Sequence, residues 1–241
     1  MRESLFEARL RDIQRFYELL DRLEAGLGGK RTLGDSHGGL LWPQRGVYFF
    51  FKPGEVRTTS GSGLRVVRVG THALKGGSTA TLWDRLRQHR GTLGGLYPGG
   101  GNHRSSVFRK HVGTALIARD GWSEPESTHW GRGSSTSKAM RQDEHKLEYA
   151  VSQHIRYMPF LWLAVEDAPG PDSKRGYIER NAIALLSNYS PQGEPIDPPG
   201  ASWLCHHAAS ASVRLSGLWN SNHVAGSYSP SFLSILQQYV L

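Results

Sequence analysis

With one cysteine, Cys205, in 241 residues, the chain can form no intrachain disulfide, so it cannot be a small fold held by disulfides. Long apolar runs are also missing. The longest, Phe160 to Val165, falls far short of the ~20 residues a helix needs to cross a bilayer, so no membrane association is expected. The amino terminus is charged and amphipathic, unlike a signal peptide, and a soluble, cytoplasmic protein is expected. Acidic residues are scarce in the middle of the chain. From residue 65 to residue 119, Asp84 stands alone against ten Lys and Arg, with His72, His89, His103 and His111 between them. The net charge of +8 is therefore carried by this segment, and the rest of the chain is close to neutral. Such a patch suits a polyanion gripped through its phosphates; the plainer reading is a basic surface that aids solubility.

Seven Trp, nine Tyr and eight Phe argue against disorder, and 29 Gly with 12 Pro indicate many tight connections. The length suits one core with additions. Residues 3–25 place Leu5, Phe6, Leu10, Ile13, Phe16, Tyr17, Leu20 and Leu23 at helical spacing, and Gly26, Gly28 and Gly29 end the run. Two β-rich runs follow, Gly46-Val47-Tyr48-Phe49-Phe50-Phe51 and Arg65-Val66-Val67-Arg68-Val69-Gly70, joined by a stretch containing Gly61-Ser62-Gly63. Together they read as a hairpin. Ser78 or Thr79 caps a helix over about residues 80–90, which puts Arg85 and His89 on one side, one turn apart. Residues 91–106 read as a Gly-rich loop, with a helix beyond Ser105 or Ser106. A helix over 140–157, a buried strand at 160–165 and a helix from Tyr177 to Leu186 complete the pattern. The remainder reads as irregular with a short apolar tail, and Cys205, His206, His207 and His223 lack the paired spacing of a zinc site.

The order Gly46-Val47-Tyr48, Arg68-Val69-Gly70, Arg85 with His89 on a helix, then Glu179 on a later helix resembles the GIY-YIG nuclease family, closest to its restriction-endonuclease branch. The resemblance spans about residues 46–190 and is interrupted by an insertion at 91–140. It implies an α+β fold with a three-stranded sheet flanked by helices. The expected organisation is an N-terminal helix and linker (1–39), a core with a Gly/Ser-rich basic insertion (40–190), and an irregular C-terminal extension packed on the core (191–241). It also implies hydrolysis of DNA phosphodiesters, of restriction or anti-phage type. In that chemistry Tyr48 is the general base, Arg85 holds the phosphate, and Glu179 is the one protein ligand of Mg²⁺ or Mn²⁺. His89 either accepts the Tyr48 proton or orients its hydroxyl. Arg68 stands where many members have a second tyrosine; since arginine cannot act as a base, it becomes a phosphate or phenolate stabiliser. Of two candidates for the family asparagine, Asn188 and Asn220, the aromatic before Asn220 favours the latter.

Arg65, Arg87, Arg90, His103, Arg104, Arg109 and Lys110 are the expected contacts to DNA, double-stranded by preference, and the insertion is the place for base readout. Cutting both strands at a fixed site would call for a homodimer or a partner in a defence complex. Two other readings fit the same sequence. One is a nucleic-acid-binding protein on this scaffold without cleavage, and the other is an interaction module docking through the N-terminal helix.

Overall fold

The computed structural model describes residues 4–189 and 194–240. In chain order the elements are α1 (Leu5–Leu27), β1 (Arg31–Thr32), β2 (Gly46–Val56), β3 (Leu64–Gly70), α2 (Leu82–Arg90), α3 (Val107–Asp120), α4 (Lys138–Asp143), α5 (His145–Arg156), β4 (Pro159–Ala164), α6 (Lys174–Leu186), α7 (Ala211–Ser216) and α8 (Phe232–Val240). The strands form one antiparallel sheet in the order β1-β4-β2-β3. This is an α+β fold with a small sheet between helices.

Alternation along β2 divides the core. Val47, Phe49 and Phe51 face a cluster built with Ile13, Phe16 and Leu20 of α1, Ile178 and Ile183 of α6, and Phe232 of α8. Tyr48 and Phe50 face the other way, onto Leu86 of α2, Phe108 and Val112 of α3, Leu147 and Val151 of α5, and Trp219. Helices therefore cover both faces of the sheet, and the second face carries the polar side chains of interest.

Local chemistry sets the helix ends. Ser4 and Glu7 form a reciprocal cap at the start of α1, and Gly28, at φ 73°, closes its end with bonds back to Ala25 and Glu24. Thr81 and Asp84 cap α2 in the same reciprocal manner. Ser106 caps α3 by accepting from the Arg109 amide.

Several details depart from the sequence expectation, among them the cap of α2, which is Thr81 and not Ser78 or Thr79. A fourth strand, β1, adds two residues opposite Phe160 and Pro159; a two-residue strand has no period to read and is defined only by its partner. The apolar tail is a helix, α8, packed against α1 and α6. The helix expected over 140–157 is two, α4 and α5, meeting at Glu144, whose carboxylate is drawn to both terminal nitrogens of Arg104. Finally, Trp219 and Asn220 lie along β3: the Trp219 amide donates to the Val67 carbonyl and the Asn220 side chain bonds both backbone groups of Val69. The outer edge of the sheet is thereby covered. The expected boundary at residues 190 and 191 lies outside the described residues.

Candidate active site

Gly46 and Gly70, at the outer ends of the hairpin strands, serve close approach. A Cβ on Gly46 would overlap the Leu163 carbonyl oxygen of the neighbouring β4, and a Cβ on Gly70 would overlap the ring and hydroxyl of Tyr48, directly opposite it. A bulge then sets the direction of Arg68. Phe50 pairs with Arg68 and Phe51 with Val66, which leaves Val67 without a register partner on β2, and the extra residue turns the Arg68 side chain onto the face that holds Tyr48.

Tyr48 is fully buried, and its hydroxyl lies 2.8 Å from Nε2 of His89, equally buried on α2. The other ring nitrogen of His89, Nδ1, lies 2.8 Å from Oγ of Ser106. Burial holds the His89 imidazolium well below its usual range, reinforced by the positive charges of Arg85, Arg68 and Arg109, so the ring is neutral at pH 7. Arg109 also donates to the His89 carbonyl at 2.9 Å.

Arg68 is buried, with its guanidinium 4.8 Å above the Phe108 ring, and donates to the Trp219 carbonyl. Among the described residues its Nε has no hydrogen-bond partner. Burial works against its charge and so does Arg85, while Tyr48 and Glu179 favour it. Arg85 is partly exposed and donates to the Gln88 side chain and the Ser105 carbonyl.

Glu179, on α6, accepts from the Thr71 amide at 3.1 Å, immediately beyond Gly70. Burial pushes its pKa up, against the pull of Arg68, the Thr71 amide and Arg85. The fold therefore gathers Tyr48, Arg68, Arg85, His89 and Glu179 from β2, β3, α2 and α6 into one electrostatic unit. A phenol, an imidazole, two guanidiniums and one carboxylate can between them move a proton, hold a phosphate and supply a single hard ligand to a divalent cation.

Two further histidines adjoin this unit. His72, just after β3, is pushed down to about 4 by burial, with Arg175, Arg85 and Arg45 adding to the effect, and its Nδ1 is unpartnered among the described residues. His111 on α3 is likewise pushed down to about 4, by burial and then by Arg68 and Lys110, and its Nε2 is unpartnered among the described residues. Sequence reasoning gave neither a role at the site. It also saw Ser106 only as a cap, because nothing local links a serine to a histidine 17 residues earlier.

Asn220 has its amide committed to the Val69 backbone, with Oδ1 accepting at 3.1 Å and Nδ2 donating at 2.8 Å. It thus holds β3 beside Arg68. Asn188 lies elsewhere, bonded to Ile196 and Arg9.

The expected DNA contacts divide. Arg87 and Lys110 are exposed. The other five point inward, because each meets a protein partner. Arg65 pairs with Glu55, and Arg90 donates to the Ser36 carbonyl. His103 stacks on Trp130 and bonds Glu148. Arg104 forks onto Glu144, and Arg109 is sealed against Glu148 and Ser152. Much of the basic insertion is therefore internal scaffolding. Cys205 is buried, with its thiol pushed up by burial, and no group of three His, Cys, Asp or Glu among the described residues is placed to hold a metal. No helix among them is long and apolar enough to cross a membrane.

A protein-family model described as the GIY-YIG domain matches residues 7–241. No curated protein and no solved structure matches the chain.

Proposed function

The chain belongs to the GIY-YIG domain family, whose members are in general endonucleases, and from that premise we propose that it is a metal-dependent DNA endonuclease of restriction or anti-phage type. The observation that carries the reading is the buried Tyr48–His89 pair at 2.8 Å, with Arg68 against the phenol and Arg85 and Glu179 beside it. Tyr48 is the general base for the attacking water. Arg85 holds the scissile phosphate, since its fork matches two phosphate oxygens. Tyr48 is closed off in the free protein, so a side chain must move to admit the substrate. Arg85, partly exposed and held by one amide and one carbonyl, has the freedom to do so.

Glu179 fits a divalent cation. Its ionised form is under-compensated by its surroundings, as the direction of its pKa shift indicates, and a cation would supply the missing charge. One carboxylate suits Mg²⁺ or Mn²⁺, which retain waters and take phosphate oxygens as further ligands. The bound ion would contribute Lewis acidity at the leaving oxygen. Arg87 and Lys110 contribute backbone contacts to duplex DNA in the cytoplasm, and cutting both strands at one site would require a second copy or a partner.

The test is cleavage of plasmid and of a panel of phage DNAs with Mg²⁺ or Mn²⁺, comparing wild type with Tyr48→Phe and Glu179→Ala. Loss of cutting in both variants with DNA binding retained supports the proposal. A wild-type protein that binds but cuts nothing under any metal replaces it with the binding-protein reading, for which Arg68 in the place of a second tyrosine is the specific observation.

A further inference from the structure

Residues 92–100 form a loop that is closed at its base and bare at its tip. The Thr92 amide donates to the Gly100 carbonyl at 2.9 Å, and the Gly99 amide donates back to the Thr92 carbonyl at 3.1 Å. One stripe of α5, at helical spacing, holds this base. His145 donates to the Pro98 carbonyl, Ser152 to the Gly100 carbonyl and Arg156 to the Thr92 carbonyl, and a Cβ on Gly99 would overlap the ring of Tyr149. A Cβ on Gly94 or Gly95, by contrast, would meet nothing within 4 Å. The tip between them and the base carries Leu93 and Leu96, 57% and 71% exposed. One exposed leucine is ordinary, but two on a short tip braced from below make a built apolar point.

The charges around the loop choose its partner. Exposed Arg87 lies one turn before the loop, its carbonyl accepting from the Gly91 amide, and Arg141 lines a hollow with Thr92 and Tyr97. The Tyr97 hydroxyl donates to the carbonyl of Lys138. Lys138 and Arg141 are exposed and pair with no acid among the described residues, because the adjacent Glu144 and Glu148 are taken up by Arg104 and Arg109. An apolar point with an uncompensated basic rim matches the stacked bases and flanking phosphates of duplex DNA. The loop also starts where α2 ends, and the chain beyond it returns to α2, where the Ser105 carbonyl accepts from Arg85 at 3.0 Å.

We propose that the 92–100 loop is a wedge that enters duplex DNA from the minor groove, where Leu93 and Leu96 part a base step while Arg87, Lys138 and Arg141 hold the neighbouring phosphates. Insertion unstacks the step and kinks the duplex, so steps that open easily, pyrimidine–purine above all, are favoured as sites. The inference rests on the reading of the chain as a DNA endonuclease and adds to it a way of selecting DNA by deformability.

The test is relaxation of a plasmid by a metal-independent topoisomerase in the presence of the full-length protein without divalent metal, followed by removal of protein and separation of topoisomers. Cleavage with Mg²⁺ or Mn²⁺ is run in parallel. Parting base steps untwists the duplex, so wild type should leave the plasmid negatively supercoiled in proportion to the protein bound. The double variant Leu93→Ser/Leu96→Ser, altered only at exposed positions, should bind duplex DNA about tenfold more weakly and at equal occupancy leave no shift, whereas Leu96→Met should keep it. A wild type that binds and cuts DNA with no change in linking number overturns the inference and spares the nuclease reading. A double variant that shifts the linking number like wild type also overturns it. A wild type that shifts the linking number but never cuts refutes the nuclease reading alone, and one that binds no DNA refutes both. Binding to phosphatidylglycerol vesicles that needs these leucines, with the plasmid left unchanged, would assign the loop to a lipid surface instead.

Discussion

Glu179 is where function and stability pull apart. Its carboxyl is raised in the folded protein, so folding favours the protonated form. The resulting contribution to stability is present below the ordinary value of 4.5 and is lost as pH rises through the folded value. At neutral pH the ionised side chain is a cost. Glu179→Gln makes the neutral state permanent and retains an acceptor for the Thr71 amide. The metal-free variant should therefore melt no lower than wild type while cleaving at least ~10²-fold more slowly, checked by calorimetry and plasmid cleavage side by side. Tyr48, Arg85 and Glu179 could be picked out of the sequence from the order of motifs that resembles the GIY-YIG family, since no local pattern links a strand at residue 48 to a helix at residue 179. Arg109 and His103 were not, since a run of positive charge does not show that Glu148, about forty residues on, folds back to meet it.

At the scale of elements, the insertion acts as a brace for α2. Glu148 on α5 holds Arg109 on α3, which in turn donates to the His89 carbonyl, while the α3 cap bonds the His89 ring. Removing the acid would strand a fully buried cation. Glu148→Ala should cost about 3–5 kcal/mol by urea unfolding, and Arg87→Ala, on the exposed face of α2, almost nothing. A stability loss for Glu148→Ala no larger than for Arg87→Ala would contradict this account. The hairpin gives a second case. Gly70→Ala places a methyl group where the Tyr48 ring lies, so β3 or the ring must shift. A loss of about 1–3 kcal/mol is expected, together with a fall in cleavage comparable to that of Tyr48→Phe. The hairpin itself was legible from its β-branched and aromatic runs. The pairing of Trp219 and Asn220 with β3 was not, because about 150 residues separate the partners and no periodicity spans them.

The whole molecule buries several neutral imidazoles next to cations, and its response to acid follows. His72 and His111 are pushed down to about 4 and His154 to about 3, in each case first by burial. Arginines adjoin His72; Arg68 and Lys110 adjoin His111; Lys52 and Arg119 adjoin His154. His89 lies lower than its usual range for the same reason. An unfolded histidine takes up its proton near ~6.5, so the stability these four provide is fully present above that pH and is lost as pH falls towards their folded values. Glu179 works in the opposite sense by up to one proton. Unfolding at pH 5 should therefore take up about three protons, read from the pH dependence of the unfolding free energy or from calorimetry in buffers of different ionisation enthalpy. Repulsion among the surplus surface cations would also weaken the fold in acid, but salt screens that effect and leaves the desolvation of buried rings largely unchanged. Raising the salt from about 0.15 M to 0.5 M should leave the slope between pH 7 and pH 5 nearly as steep. A slope that flattens with salt would assign the acid sensitivity to the surface instead.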